Sequence, residues 1–192
     1  IMHPIVDILA GIPSVIFGVW GILIVVPFVG NYLGPWLGKE VSGYSILAGA
    51  VVLSIMIIPF VLNILIEIFR TILLELTEAS LSVGATKWQT IKFVMLKRAL
   101  PGIISAFGLG ISRAFGETIA VLMAVGNVAK MPTGTFQPGY PLPALIANNY
   151  GEMLSIPQYD SALMFAALIL FVVVVVFNFG SRRIIMRYEK KA

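Results

Sequence analysis

The chain is predicted to be an all-α integral membrane protein, a polytopic helical bundle with four transmembrane helices. Three observations predict it. Hydrophobic residues fill 59% of its 192 positions and charged residues only 11%, whereas a soluble domain carries about 25% charged residues. Four apolar stretches reach the roughly 20 residues that a membrane-spanning helix needs. Lysine and arginine gather in two segments instead of spreading along the chain. The composition also excludes chemistries. Without cysteine there is no disulfide, thiolate metal site or thiol redox reaction, and the one histidine, His3, cannot build a zinc site, so no metal is expected. The expected surrounding is the lipid bilayer, and nucleic acid is not an expected partner.

The four stretches are residues 11–29, 46–69, 102–125 and 162–180. The central connection, 70–101, holds Arg70, Lys87, Lys92, Lys97 and Arg98, and the C-terminal segment holds Arg182, Arg183, Arg187, Lys190 and Lys191. The other two connections carry only Lys39 and Lys130. By the positive-inside rule the central loop and the C-terminus are expected in the cytoplasm, with the loop at 127–160 outside and Ile1 inside. The chain enters an apolar helix almost at once from Ile1, with no basic, cleavable signal segment, so upstream residues are expected.

In the first span Gly11-Ile12-Pro13-Ser14 is a helix start, Pro27 lies near the other end, and Gly18 and Gly21 permit close helix packing. The second span carries Pro59 and Asn63, a break and a polar side chain at membrane depth, which predicts that this part faces the bundle interior. Glu67 falls near the cytoplasmic end, where headgroup water solvates it.

The polar loop 70–101 is predicted to fold as two short helices around an elbow. Gly84 can end the first in a left-handed conformation, and Thr86 with Gln89 three residues later makes a capping box for the second. Gly84 and Ala85 then form the corner. Trp88, Ile91 and Met95 share one side of the second helix, which is expected to rest on the membrane helices, while Lys87 and Lys92 lie off that stripe.

The third span carries the strongest chemical signal. Ala106, Gly110, Arg113, Glu117, Ala120 and Ala124 are spaced alternately by four and three and form one seam of an uninterrupted helix. Ile104, Ile111, Phe115, Leu122 and Val125 lie opposite. A charge at helix centre costs about 2.5–3.5 kcal/mol on insertion scales, so Arg113 needs a partner, and Glu117 is four residues on. Two readings stay open at this point: a structural ion pair, or an anion site in which the guanidinium fork meets phosphate or carboxylate oxygens. Beyond it, residues 127–160 are rich in Pro, Gly, Asn and Tyr and predict turns, with a short interfacial helix at 142–153. The fourth span has no ionisable group and reads as peripheral and lipid-facing.

Glu78-Ala79-Ser80, Gly84 and Val94-x-Leu96 together resemble the EAA loop of ABC-importer permeases. Two positions depart: Ser80 stands for the second Ala, and Lys97 stands where that family has Pro, leaving Leu100-Pro101 to restart the helix. With LAGIPSVIFGVWG, SRAFGETIAVLMAVGN and PGYPLPALIANNY added, nearly the whole chain resembles the PstC-type permeases of phosphate ABC importers. The resemblance implies one permease transmembrane domain over 1–192 and a six-helix subunit of which these four spans are the last four. It implies ATPase coupling through Glu78, Ala79, Gly84, Ala85 and Thr86, and a substrate pathway through Arg113, Glu117 and Thr118. The implied partners are a homologous PstA-type permease, a PstB-type ATP-binding dimer and a PstS-type phosphate-binding protein, in the cytoplasmic membrane of a bacterium or archaeon. ATP and Mg would sit on the ATPase subunits, with no cofactor on this chain. No Gly-rich phosphate loop with Lys or His-based nucleophile is present, so an enzyme is not expected. A permease for sulfate or molybdate remains an alternative, as does an ion-coupled carrier with a charge relay at Arg113 and Glu117.

Overall fold

The computed structural model describes residues 11–38, 41–72, 74–150 and 157–189. Seven helices are described: α1 Ser14–Trp36, α2 Ile46–Thr71, α3 Leu74–Ser82, α4 Lys87–Gly116, α5 Ile119–Val125, α6 Leu142–Asn149 and α7 Pro157–Glu189. Among the described residues no strand forms, and one parallel bridge joins Gly126 to Gly139. Four helices, α1, α2, α4 and α7, are long and apolar enough to cross a membrane. The positions of Ile1 and the last lysines, and the expected end of the short helix at Met153, lie outside the described residues.

α1 runs seven residues further than the span predicted from composition, straight through Pro27 and Pro35. A proline removes one backbone donor, and the helix meets each with a π-helical turn just before it. Val26 N–H donates to the Gly21 carbonyl and Gly34 N–H to the Val29 carbonyl, a spacing of five that widens the backbone ahead of the ring. α2 begins at Ser45, a buried N-cap whose Oγ accepts the Ala48 N–H at 3.2 Å and donates to the Gly43 carbonyl at 3.2 Å. The break expected at Pro59 does not occur: α2 passes through it, and Pro59 and Val61 are buried, as an interior face requires. Asn63 is half-buried, and Glu67 pairs with Arg70 at 3.5 Å on an exposed surface.

The core lies where α1, α2 and α5 meet. Val25, Val26, Val29, Ala48, Val52, Met56, Ala120 and Ala124 form one buried cluster. Small residues bring the backbones together there: a Cβ at Gly18 would stand 2.5 Å from Met123 Sδ, and one at Gly21 would stand 2.7 Å from Val52 Cγ2. α7 packs on α4 through Phe115 and Phe177, whose ring centroids are 5.3 Å apart, and through a hydrogen bond from Ser112 Oγ to Asn178 Oδ1. Leu163 and Ala166 are buried, while Phe165, Leu168, Phe171, Val172, Val176 and Phe179 are exposed, in line with a peripheral helix.

The turn before α2 tucks under α1 at Gly43, which has φ +85°; a Cβ there would run into the Val26 carbonyl oxygen. Gly43→Ala should therefore destabilise the bundle by about 2 kcal/mol or more, left-handed strain adding to overpacking. Thermal unfolding in detergent checks this, with Gly134→Ala, where a Cβ meets nothing within 4 Å, unchanged beside it.

Candidate functional site

The elbow forms at the predicted corner, and hydrogen bonds hold both arms. Gly84 has φ +82°. Gly84 N–H donates to the Leu81 carbonyl at 3.0 Å and Ala85 N–H to the Ser80 carbonyl at 3.3 Å, the two bonds of a Schellman motif closing α3. On the other arm Thr86 Oγ1 accepts the Gln89 N–H at 3.3 Å while Gln89 Oε1 accepts the Thr86 N–H at 2.8 Å, completing the capping box. Glu78, Ala79, Gly84 and Thr86 are exposed and Ala85 is half-buried. Nothing lies within 4 Å of where a Gly84 Cβ would be, so the corner presents bare backbone.

Beyond the elbow the structure departs from expectation twice. The second arm is not a separate short helix but the first turn of α4, continuous from Lys87 to Gly116. Only Pro101 interrupts that run; it removes a single helical donor, so the helix passes through it and no restart at Leu100-Pro101 is needed, with Lys97 simply an exposed helical residue. The stripe of Trp88, Ile91 and Met95 does not rest on the membrane helices either: Trp88 is 70% exposed. Residues Thr90–Met95 wind as a π-helix, which shifts side-chain directions away from the 3.6-residue period, and Thr90 takes the buried place. Its hydroxyl donates to the Thr86 carbonyl at 3.1 Å, leaving Ser80 Oγ to donate into Thr90 Oγ1 at 3.0 Å. Ser80 thus ties the two arms together with an atom that alanine lacks.

The expected seam along the third span is cut. α4 stops at Gly116, Glu117 is extended with φ −72° and ψ 122°, and α5 starts at Ile119. Gly116 supplies no side chain to support the helix, and Glu117 Oε1 accepts the Ala120 N–H at 3.4 Å, satisfying a donor at the start of α5. Thr118 Oγ1 donates to the Gly116 carbonyl at 3.4 Å across the break. Arg113 and Glu117 therefore do not pair, because four residues no longer make one helical turn. Arg113 lies instead with its guanidinium carbon 4.6 Å from the Phe60 ring centroid, and among the described residues no carboxylate pairs with it. Each charge sits at a helix end of opposite sign, Arg113 in the last turn of α4 and Glu117 before the first turn of α5. Such placements are worth about 0.3–1 kcal/mol each at exposed ends.

Glu117 also lines a largely apolar cavity of about 500 Å³ between α2, the end of α4, α5, α6 and α7, with Phe115, Val121, Tyr140, Leu170 and Val173 on its walls. Arg113 is not part of that lining. Among the described residues no three His, Cys, Asp or Glu side chains gather in metal-binding range. Phe60, Thr90, Ser112 and Asn178 were not singled out from sequence.

Four helices long and apolar enough to cross a membrane, the third continued after a break by α5, with an exposed elbow between the second and third, define a multi-pass helical membrane protein of the type I ABC importer permease fold. The chain belongs to the family described as the binding-protein-dependent transport system inner membrane component, which matches residues 1–190. It is similar to the phosphate transport system permease protein PstC of Xylella fastidiosa, 33% identical over 97% of this chain and 61% of that protein. A probable PstC of Methanocaldococcus jannaschii is 36% identical over 90% of this chain and 58% of that protein. PstC 2 of Mycobacterium bovis is 38% identical over 93% and 59%. The chain thus spans about three fifths of the length of these curated relatives. Its fold matches an inward-facing structure of the MetNI methionine ABC transporter with TM-score 0.64 at 24% identity, over 97% of this chain and 73% of that one.

The hydroxyl tie in the elbow is directly testable. Thr90→Val keeps the side-chain volume and removes both hydroxyl bonds, so local stability of the elbow should fall by about 1 kcal/mol. Amide hydrogen exchange at Gly84 and Ala85 should speed up several-fold while the core of α2 exchanges as before.

Proposed function

We propose that this chain is the membrane-spanning permease subunit of an ATP-driven phosphate importer. The observation that carries the reading is Arg113: a permanent cation on a membrane-crossing helix, beside a break in that helix and without a carboxylate partner among the described residues. In a chain related over most of its length to proteins named as phosphate transport permeases, that arrangement favours an anion contact over a structural ion pair. The guanidinium fork matches two oxygens of a phosphate, and charge is the main barrier to an anion crossing the bilayer. Thr118 stands in the break with a hydroxyl that can reorient toward the anion. Glu117, held at the start of α5, adds a negative charge that opposes occupancy by a second anion.

In this reading the elbow faces the cytoplasm and docks on an ATP-binding subunit dimer. Ser80, Thr86, Gln89 and Thr90 hold its shape from within, and the bare corner at Gly84 allows close approach. Basic residues at this end of the bundle and in the C-terminal segment support the same orientation. A homologous permease completes the pathway, a phosphate-binding protein delivers the anion from outside, and ATP with Mg is bound by the ATPase subunits. The chain itself is non-catalytic. The cytoplasmic membrane of a bacterium or archaeon is the proposed location.

Two substitutions test the reading in the assembled transporter. Arg113→Lys keeps the charge but loses the two-donor fork, so phosphate uptake should fall at least about tenfold at matched assembly. Uptake near the unsubstituted level would remove Arg113 from the pathway. Gly84→Leu strains the left-handed corner and fills the space before it, so the ATP-binding subunit should co-purify poorly and uptake should be lost, while the membrane domain keeps its thermal stability within about 1–2 kcal/mol.

A further inference from the structure

Arg113 is held by an aromatic ring, and the geometry of α2 and α4 explains why that ring is Phe60. Gly110 brings the two helices together: a Cβ there would stand 2.5 Å from Val61 Cγ2 and 3.1 Å from Ile57 Cγ2. Arg113 lies three residues beyond Gly110, on the same side of α4, and Phe60 is the neighbour of Val61. Pro59 and Val61 are buried on either side of Phe60 and pin its backbone, so the ring has a defined place to present its face. The guanidinium carbon is 4.6 Å from the ring centroid, well inside cation–π range.

We propose that Phe60 is the positioning residue for Arg113, holding the guanidinium against its ring so that the cation is fixed in place with its hydrogen-bond donors unspent. This rests on the reading of Arg113 as an anion contact. A carboxylate partner would also fix the guanidinium, but it would occupy the donor fork and cancel the charge that attracts an anion. A phenyl ring has no acceptor atom, so all five N–H donors remain for oxygens of the transported anion. Arg113 is exposed in the isolated chain and Phe60 half-buried, so the ring's attraction is modest there and grows where a neighbouring subunit excludes water. Glu117, the expected partner, is drawn away by the helix break and by its bond to Ala120. Among the described residues, that leaves the ring as the group that orients Arg113.

The test uses the full-length permease in the assembled transporter, reconstituted in proteoliposomes, with labelled inorganic phosphate as the probe and assembly measured in every sample. Phenylalanine at position 60 is replaced by its mono-, di- and trifluorinated forms, which weaken the ring's attraction for a cation in steps at nearly constant size. Uptake should fall stepwise to about one tenth, Phe60→Leu should match the end of the series, and Phe60→Trp should retain uptake. With Arg113→Gln already in place, the fluorinated series should have no further effect, since the ring would have no cation left to hold. A packing role for Phe60 would not follow fluorination, so uptake that is indifferent to the series overturns the proposal, as does a loss that persists undiminished beside Arg113→Gln. If Arg113→Gln by itself transports normally, the anion-contact reading fails and takes this one with it. If Arg113→Gln is defective while fluorination changes nothing, only the positioning role is lost. The fluorinated forms are near-isosteric, so the comparison stands even where Phe60→Leu does not assemble.

Discussion

Backbone hydrogen bonding in a medium without water governs this structure. A membrane-crossing segment must satisfy its own N–H and C=O groups, and among the described residues several irregularities come with a local means of doing so. Pro27 and Pro35 each follow a π-helical turn. The break after Gly116 is closed on one side by Glu117 N–H donating to the Ala114 carbonyl and on the other by the Glu117 side chain at the start of α5. Because these bonds are local, α1 can pass its prolines and α4 can stop at Gly116, and small residues bring the helices together.

The same constraint explains why the charged residues sit where they do. A helix end has unpaired groups of one sign, so a side chain of the opposite sign is stabilised there. Ending α4 at Gly116 provides two such ends within a few residues, one for Arg113 and one for Glu117. The structure therefore separates two charges that their spacing alone would have joined. A paired Arg113 would have its fork filled; with no carboxylate partner among the described residues, Arg113 keeps its donors and relies on Phe60 and the helix end for stability. At the opposite end of α4 the elbow follows a similar logic, with the exposed turn supported by a Schellman motif, a capping box and a hydroxyl bridge. These leave Gly84 free of side-chain cover. The elbow and the break thus flank one continuous helix, Lys87–Gly116.

Much of the architecture could be read from the sequence alone because it depends on local or compositional properties. Apolar length located all four spans, since burial in lipid depends on composition over about 20 residues. Gly84 and the Thr86–Gln89 box were legible because caps are built from residues three or four apart. Gly18 and Gly21, three residues apart in the first span, are legible as packing positions for the same reason. What the sequence could not decide was where helices continue or stop. Proline is usually a breaker, but α1 and α2 run through theirs because π-turns and packing offset one lost donor. Gly116-Glu117-Thr118 contains no proline, and Gly108 and Gly110 lie inside α4, yet the helix ends at Gly116 because a side-chain cap and packing of α5 against α1 and α2 favour two segments over one. The choice of Phe60 for Arg113, and of Thr90 over Trp88 as the buried residue of the elbow, involved partners on other elements or a local change of helical period. Such choices are set by distances through space, and only the tertiary structure contains them.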